Sequence, residues 1–299
     1  MANRFQVTSH TADAILLIAT LFWGSSFVAI KVLVATLPIY QIVILRFGIA
    51  ALILLPVVYS RLKQANRTAW LSGLWLGFTM FAGFTFQTAS MKYTTATQSA
   101  FLTALSVIMV PIFLIYIRKI VVSSRLWFCV FLAMLGLTLL SLNERWQLGF
   151  GDILAILGAV FFAFHIIYTS IYTAKYDVMF ILWLQIAAVA VFSIIIQPFI
   201  HSEPWVPLTV PLGLALGHLI IMVTIGCTTL QVFFQKQTDT TRAGLIYSTE
   251  PVFAAVLAYL ILGERLPLRG WLGAGLIFAA LIISELKGKR QSEVLSPKS

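Results

Sequence analysis

Charge is scarce in this chain: Asp, Glu, Lys and Arg make up 10% of its 299 residues, where a soluble domain carries about 25%. Acid is scarcer still, with 10 Asp and Glu against 20 Lys and Arg. Set against 60% hydrophobic residues and a mean hydropathy of +0.98, this leaves no soluble domain of any size and points to a polytopic membrane protein. The basic excess does not indicate nucleic acid. Lys and Arg fall in short segments between apolar runs, where they set topology rather than bind phosphates. Cysteine is nearly absent too. Cys129 and Cys227 both lie inside apolar segments, which excludes a disulfide framework and any metal-ligand spacing. No P-loop is present, so ATP does not drive this chain, and no HExxH or GxSxG lies in an apolar run. Neither a carbonyl-rich filter nor a ring-forming acidic motif suggests a channel. No enzymatic reaction and no cofactor are expected.

What the chain has is apolar runs from end to end. Ten candidate spans fall at 13–34, 39–59, 69–90, 96–117, 125–141, 152–172, 180–200, 211–235, 242–262 and 269–285. Each is near the ~17–25 residues a helix needs to cross the hydrocarbon core. The first is too long for the ~7–15-residue apolar region of a signal peptide and reads as a retained helix. Asp13 and Asp152 head the first and sixth spans, where a carboxylate caps free N–H groups.

The chain also repeats itself. Gln87, Lys92, Arg125 and Trp127 recur 144 positions later as Gln231, Lys236, Arg269 and Trp271, a register that makes Ser106 the counterpart of Glu250. The two capping aspartates are 139 apart, so a few extra residues enter the later copy between its second and third spans. The expected fold is therefore all-α: ten transmembrane helices as two five-helix repeats, residues 1–145 and 146–299. Five is odd, so the second copy is inverted relative to the first. With the N-terminus inside, 14 of the 20 Lys and Arg fall in inner segments and 4 in outer loops, Lys31 and Arg46 lying within spans. That split places both termini in the cytoplasm. Inverted repeats are the architecture of alternating-access transporters, with substrate near the midplane.

LFWGSSFVAIK (21–31), LRF (45–47) and SAFLTALSVIMVPIF (99–113) resemble the first unit of bacterial permeases of the drug/metabolite transporter superfamily, EamA-type. AGLIYSTEPVFAAVLAYLILGERLPLRGWLGAGLIFAALIIS (243–284) resembles the end of the second unit, and the likeness covers the whole chain. The resemblance implies a ten-helix basket in the bacterial inner membrane that exports or exchanges small metabolites such as amino acids. The alternative reading of the residues is a non-transporting membrane protein, a lipid-flipping component or an intramembrane enzyme. One departure stands out. Arg118-Lys119-Ile120-Val121 occupies the place of Leu262-Gly263-Glu264-Arg265, so the helix-end glutamate is missing from the first copy.

Ionisable groups inside spans mark the candidate site, because they are costly in hydrocarbon and face a partner or a wet cavity. Glu250 reads either as a proton-coupling carboxylate or amine acceptor, or as a group holding the helix break before Pro251. Tyr247 lies one turn away on the same face. Arg46 reads as a carboxylate clamp or as a structural tie, and its counterpart Gln185 is also polar. Lys31 lies close enough to a helix end to snorkel. Trp23, Ser26, Phe27 and Ile30 share one side of the first helix, beside Gly24, which permits close helix approach. Phe161, His165, Tyr168 and Tyr172 share a face of the sixth, His165 serving in packing or as a relay. Trp23, Phe27, Phe101, Tyr168 and Tyr247 would suit a flat or aromatic solute. GxxxG at Gly73–Gly77 and Gly213–Gly217 reads as helix contact. The expected partners are a small-molecule substrate and membrane lipid, with no nucleic acid, in a monomer or weak homodimer.

Overall fold

A computed structural model describes residues 9–119, 121–141, 149–200, 204–265 and 268–285, and among these it is helical with no strand. The expected boundary at 145/146, Arg4 and the tail from Leu286 lie outside the described residues. The first copy contributes α1 (Ser9–Val34), α2 (Ile39–Leu62), α3 (Arg67–Ser90), α4 (Ala96–Thr103), α5 (Ser106–Arg118) and α6 (Ser124–Ser141). The second contributes α7 (Phe150–Thr173), α8 (Val178–Ile196), α9 (Val210–His218), α10 (Thr228–Phe234), α11 (Thr240–Tyr247), α12 (Glu250–Leu262) and α13 (Leu268–Glu285). A π-helical stretch, Leu219–Cys227, joins α9 to α10. Eight apolar stretches are long enough to cross a membrane, while Ser124–Leu139 and Leu268–Ser284 are shorter apolar helices.

Local chemistry sets the ends. Asn66, Asp177 and Asp239 accept backbone N–H groups at the starts of α3, α8 and α11, satisfying donors that a helix start leaves open. Asp152 sits inside the first turn of α7 and reaches back to the Gly149 N–H at 2.9 Å, holding the helix start as expected. Asp13 lies a turn inside α1, buried, and pairs with Arg242 at 3.2 Å. The Lys31 ammonium donates to the carbonyls of Met91 at 2.8 Å and Thr94 at 2.7 Å.

Two expected continuous spans are broken, at the same place in each copy. The run 96–118 divides at Ala104-Leu105, and 240–262 divides at Ser248-Thr249, each boundary of one being 144 positions from that of the other. Both second halves end in left-handed residues at matching positions, Lys119 (φ 53°) and Gly263 (φ 71°). Glycine takes that conformation without the Cβ clash that lysine bears.

Packing between the copies is reciprocal. α2 lies on α8 and α6 on α13, each against its own counterpart, while α3 packs on α7 and α1 on α9, the π-stretch and α10. Close contacts rest on glycine. A Cβ on Gly77 would lie 2.3 Å from the Ala188 Cβ, and one on Gly24 would lie 2.6 Å from the Phe253 Cβ. Gly73 likewise meets Leu184, but Gly213 and Gly217 have nothing within 4 Å, so only the first GxxxG is a helix contact.

Candidate solute cavity

Between the copies lies a narrow cavity of about 70 Å³, room for a handful of waters at roughly 10–15 Å³ each. It is lined by Trp23, Ser26, Met80, Phe84, Gln87, Thr103, Ala104, Ser106, Phe162, His165, Ile166, Thr228, Gln231, Tyr247 and Glu250. Twelve of these form six repeat-equivalent pairs. Trp23 with Phe162 and Ser26 with His165 are 139 apart; Phe84 with Thr228, Gln87 with Gln231, Thr103 with Tyr247 and Ser106 with Glu250 are 144 apart. The same surface of each copy faces the void, as it must where two like units meet about a common axis.

Both helix breaks open here. Ser106 and Glu250 are the first residues of α5 and α12, so each half-helix starts at the cavity wall. Glu250 is the one carboxylate among the lining residues, and among the described residues no hydrogen bond joins its side chain to the broken backbone. It faces the void instead. The Thr249 hydroxyl makes the local bonds, to the Ile246 carbonyl at 2.7 Å and to Thr20 on α1 at 3.0 Å. Pro251 supplies the fixed φ that suits a helix start and has no N–H to leave open.

Arg46 and Gln185 stand one layer behind. Arg46 is 2% exposed; its Nε donates to the Thr224 hydroxyl at 2.7 Å, and its guanidinium carbon lies 4.9 Å and 4.6 Å from the ring centres of Phe47 and Phe84. Such ring contacts compensate part of the lost hydration of a cation. Thr224 belongs to the π-helical stretch, whose wider turn is a frequent feature of functional sites. Among the described residues, Arg46 makes no ion pair with Glu250. The matching position in the other copy, Gln185, holds His165 at 2.9 Å through Oε1.

The cavity floor is an amide and hydroxyl network. Gln235 accepts from the Tyr247 hydroxyl at 3.0 Å and from Gln231 at 3.1 Å, and donates to Ser170 at 2.7 Å and the Ile166 carbonyl at 2.6 Å. Tyr247 also meets Trp23 edge-on, ring centres 5.2 Å apart. At the other end of α1, Glu264 accepts from the Thr97 hydroxyl at 2.6 Å and the Ala96 N–H at 3.3 Å, closing the start of α4. The first copy has Ile120 there, outside the described residues, and no side chain that could do the same.

Of the residues singled out from sequence, Trp23, Ser26, His165, Tyr247 and Glu250 therefore face one void, with Arg46 and Gln185 supporting it. Three lie elsewhere. Phe27 is fully buried in the cluster between α1, α9 and α12; Phe101 packs against α6 and α13; Tyr168 stacks on Tyr172 and meets Trp75 edge-on. Gln87, Gln231, Thr103, Ser106, Phe84, Phe162 and Thr228 were not singled out as lining. The repeat register applied to Trp23, Tyr247 and Glu250 points directly at Phe162, Thr103 and Ser106.

A helical membrane protein with an enclosed void between two like halves is the form of a membrane transporter. The chain belongs to the EamA-like transporter family, whose model matches it twice, over residues 10–142 and 149–286. It is 31% identical over 276 residues to a protein of Archaeoglobus fulgidus named an uncharacterized transporter, covering 92% of this chain and 86% of that one. A second protein of that organism with the same name is 25% identical over 265 residues, covering 84% and 89%. One crystal structure superposes with a TM-score of 0.75 at 17% identity, over 93% of this chain and 97% of that one, a likeness of fold. The protein is thus a multi-pass membrane transporter of the drug/metabolite type.

Proposed function

We propose that the chain is a secondary transporter that exports or exchanges small organic metabolites, amino acids foremost, by alternating access. Its ten helices form two inverted five-helix repeats, residues 1–145 and 146–299, in the inner membrane of a bacterial cell with both termini in the cytoplasm. The observation that carries this reading is the lining of the void by repeat-equivalent pairs around two half-helix starts. A site shared equally by two opposed units can be exposed to either side as one rocks against the other. Glu250 is the proton-coupling group and takes the amine of the solute when deprotonated. Trp23, Ser26, His165 and Tyr247 line the solute path, with Arg46 and Gln185 setting polarity from behind. The void as it stands is far below the ~300–1,000 Å³ of an ordinary ligand pocket. This is a closed form, and solute enters only as the halves separate.

The test is counterflow of radiolabelled amino acids, polyamines and nucleosides into proteoliposomes. Saturable exchange of one class, with a pH dependence that Glu250→Gln removes while exchange continues, supports the reading. Exchange that keeps its full pH dependence in Glu250→Gln overturns the coupling role.

A further inference from the structure

Away from the void, a second cleft opens where α2 ends and α3 and α8 begin. It has about 450 Å³ of space, and its wall includes Arg61, Gln64, Asn66, Lys175, Tyr176 and Asp177. Met80 on α3, a void residue, is 11 positions beyond Ala69 of the cleft wall, about 16 Å along the helix. The two sites are separate.

Its chemistry favours an anion. Arg61 and Lys175 line the cleft against one acid, Asp177, and Lys63 and Arg67 follow Arg61 in the sequence that joins α2 to α3. Asp177 pairs with Arg61, but both side chains are over 40% exposed, and pairs so exposed are worth little, about 0–1 kcal/mol. The guanidinium can therefore turn to a better acceptor at small cost. α3 and α8 also present their N-terminal ends here, adding the positive end of two long helix dipoles. Below the cleft, Ile53 and Val57 form an exposed apolar stripe on α2, 47% and 56% accessible, about two turns and one turn from Arg61. A phosphate on an acyl chain fits both features at once: head in the cleft, chain along the stripe. Basic pockets between helices on the cytoplasmic side hold anionic headgroups in this way, and the Lys and Arg distribution assigns this end to the cytoplasm.

We propose that this cleft binds a phosphate ester, and specifically the headgroup of an anionic phospholipid, through Arg61 and Lys175. Asp177 competes with the ligand for Arg61. The site does not depend on the transport reading and can fail without it.

The full chain, delipidated in detergent, is titrated with phosphatidylglycerol, phosphatidylcholine or inorganic phosphate and followed by native mass spectrometry. Phosphatidylglycerol is expected to be retained over phosphatidylcholine, with Arg61→Gln and Lys175→Gln each lowering its retention about fivefold. Asp177→Asn keeps an N-cap for α8 but removes the competing charge, so retention should rise by a similar factor. A misfolded variant cannot give that gain. Equal retention of the two lipids in the wild type, or no rise in Asp177→Asn, overturns the proposal. Inorganic phosphate bound with the same variant profile while the two lipids stay undistinguished overturns the lipid assignment in favour of the free ion.

Discussion

Glu250 and Ser106 occupy one position in the two copies, and this exchange of a hydroxyl for a carboxylate is the main chemical asymmetry of the void. The sequence marks Glu250 because a carboxylate stands out in an apolar run, whereas Ser106 is silent until the register is applied. Arg46 reads from sequence as clamp or tie; its Nε on Thr224 and its contacts with the Phe47 and Phe84 rings hold the side chain in place behind the void. Phe27 shows the limit of helical spacing, which gives a face but not which neighbour covers it. Glycines permit a paired test. Gly77→Ala puts a methyl against Ala188 and the Gln185 carbonyl, and overpacking of this kind costs about 1–3 kcal/mol. Gly213→Ala meets nothing and gains the roughly 1 kcal/mol by which alanine exceeds glycine in a helix. Thermal unfolding in detergent should therefore fall for the first and hold or rise for the second.

The helix breaks belong to the scale of elements, and they were only half legible. Pro251 marks the second break, but Ala104 and Leu105 carry no breaking residue, so the first is fixed by tertiary packing. Lys119 and Gly263 show the same compromise at the far ends, one copy bearing the strain that the other avoids. Glu264 adds to the local Thr95 cap, reaching across to the Ala96 N–H and the Thr97 hydroxyl at the start of α4. Glu264→Ala should leave Ala96 and Thr97 without that acceptor. Hydrogen exchange at residues 96–99 should speed up several-fold, while the Asp239-capped start of α11 stays unchanged. Equal protection at 96–99 in both proteins would mean Thr95, which caps Gln98, holds that turn alone.

For the whole molecule, composition settled the membrane class, and the repeat register pairs the surfaces that meet only once one of them is known. Reciprocal packing of α2 on α8 and α6 on α13 could not be read from sequence, since apolar helices in lipid have no hydrophobic drive to choose one neighbour over another. The proposed inversion has a direct topological consequence. Gln64 and Leu208 lie in corresponding loops, between the second and third spans of each copy, so single cysteines there should react with an impermeant thiol reagent from opposite faces of the membrane. The native Cys129 and Cys227 are buried and contribute little background. Reaction of both from one face would mean parallel copies.

The central claim is that the void between the copies is the solute path and opens to each side in turn. A cysteine at Ser106, in a chain otherwise free of cysteine, reads this most directly. An impermeant thiol reagent added to either side of sealed proteoliposomes should label it, and transported solute should slow both reactions. Labelling from one side alone, with solute giving no protection, would contradict the account.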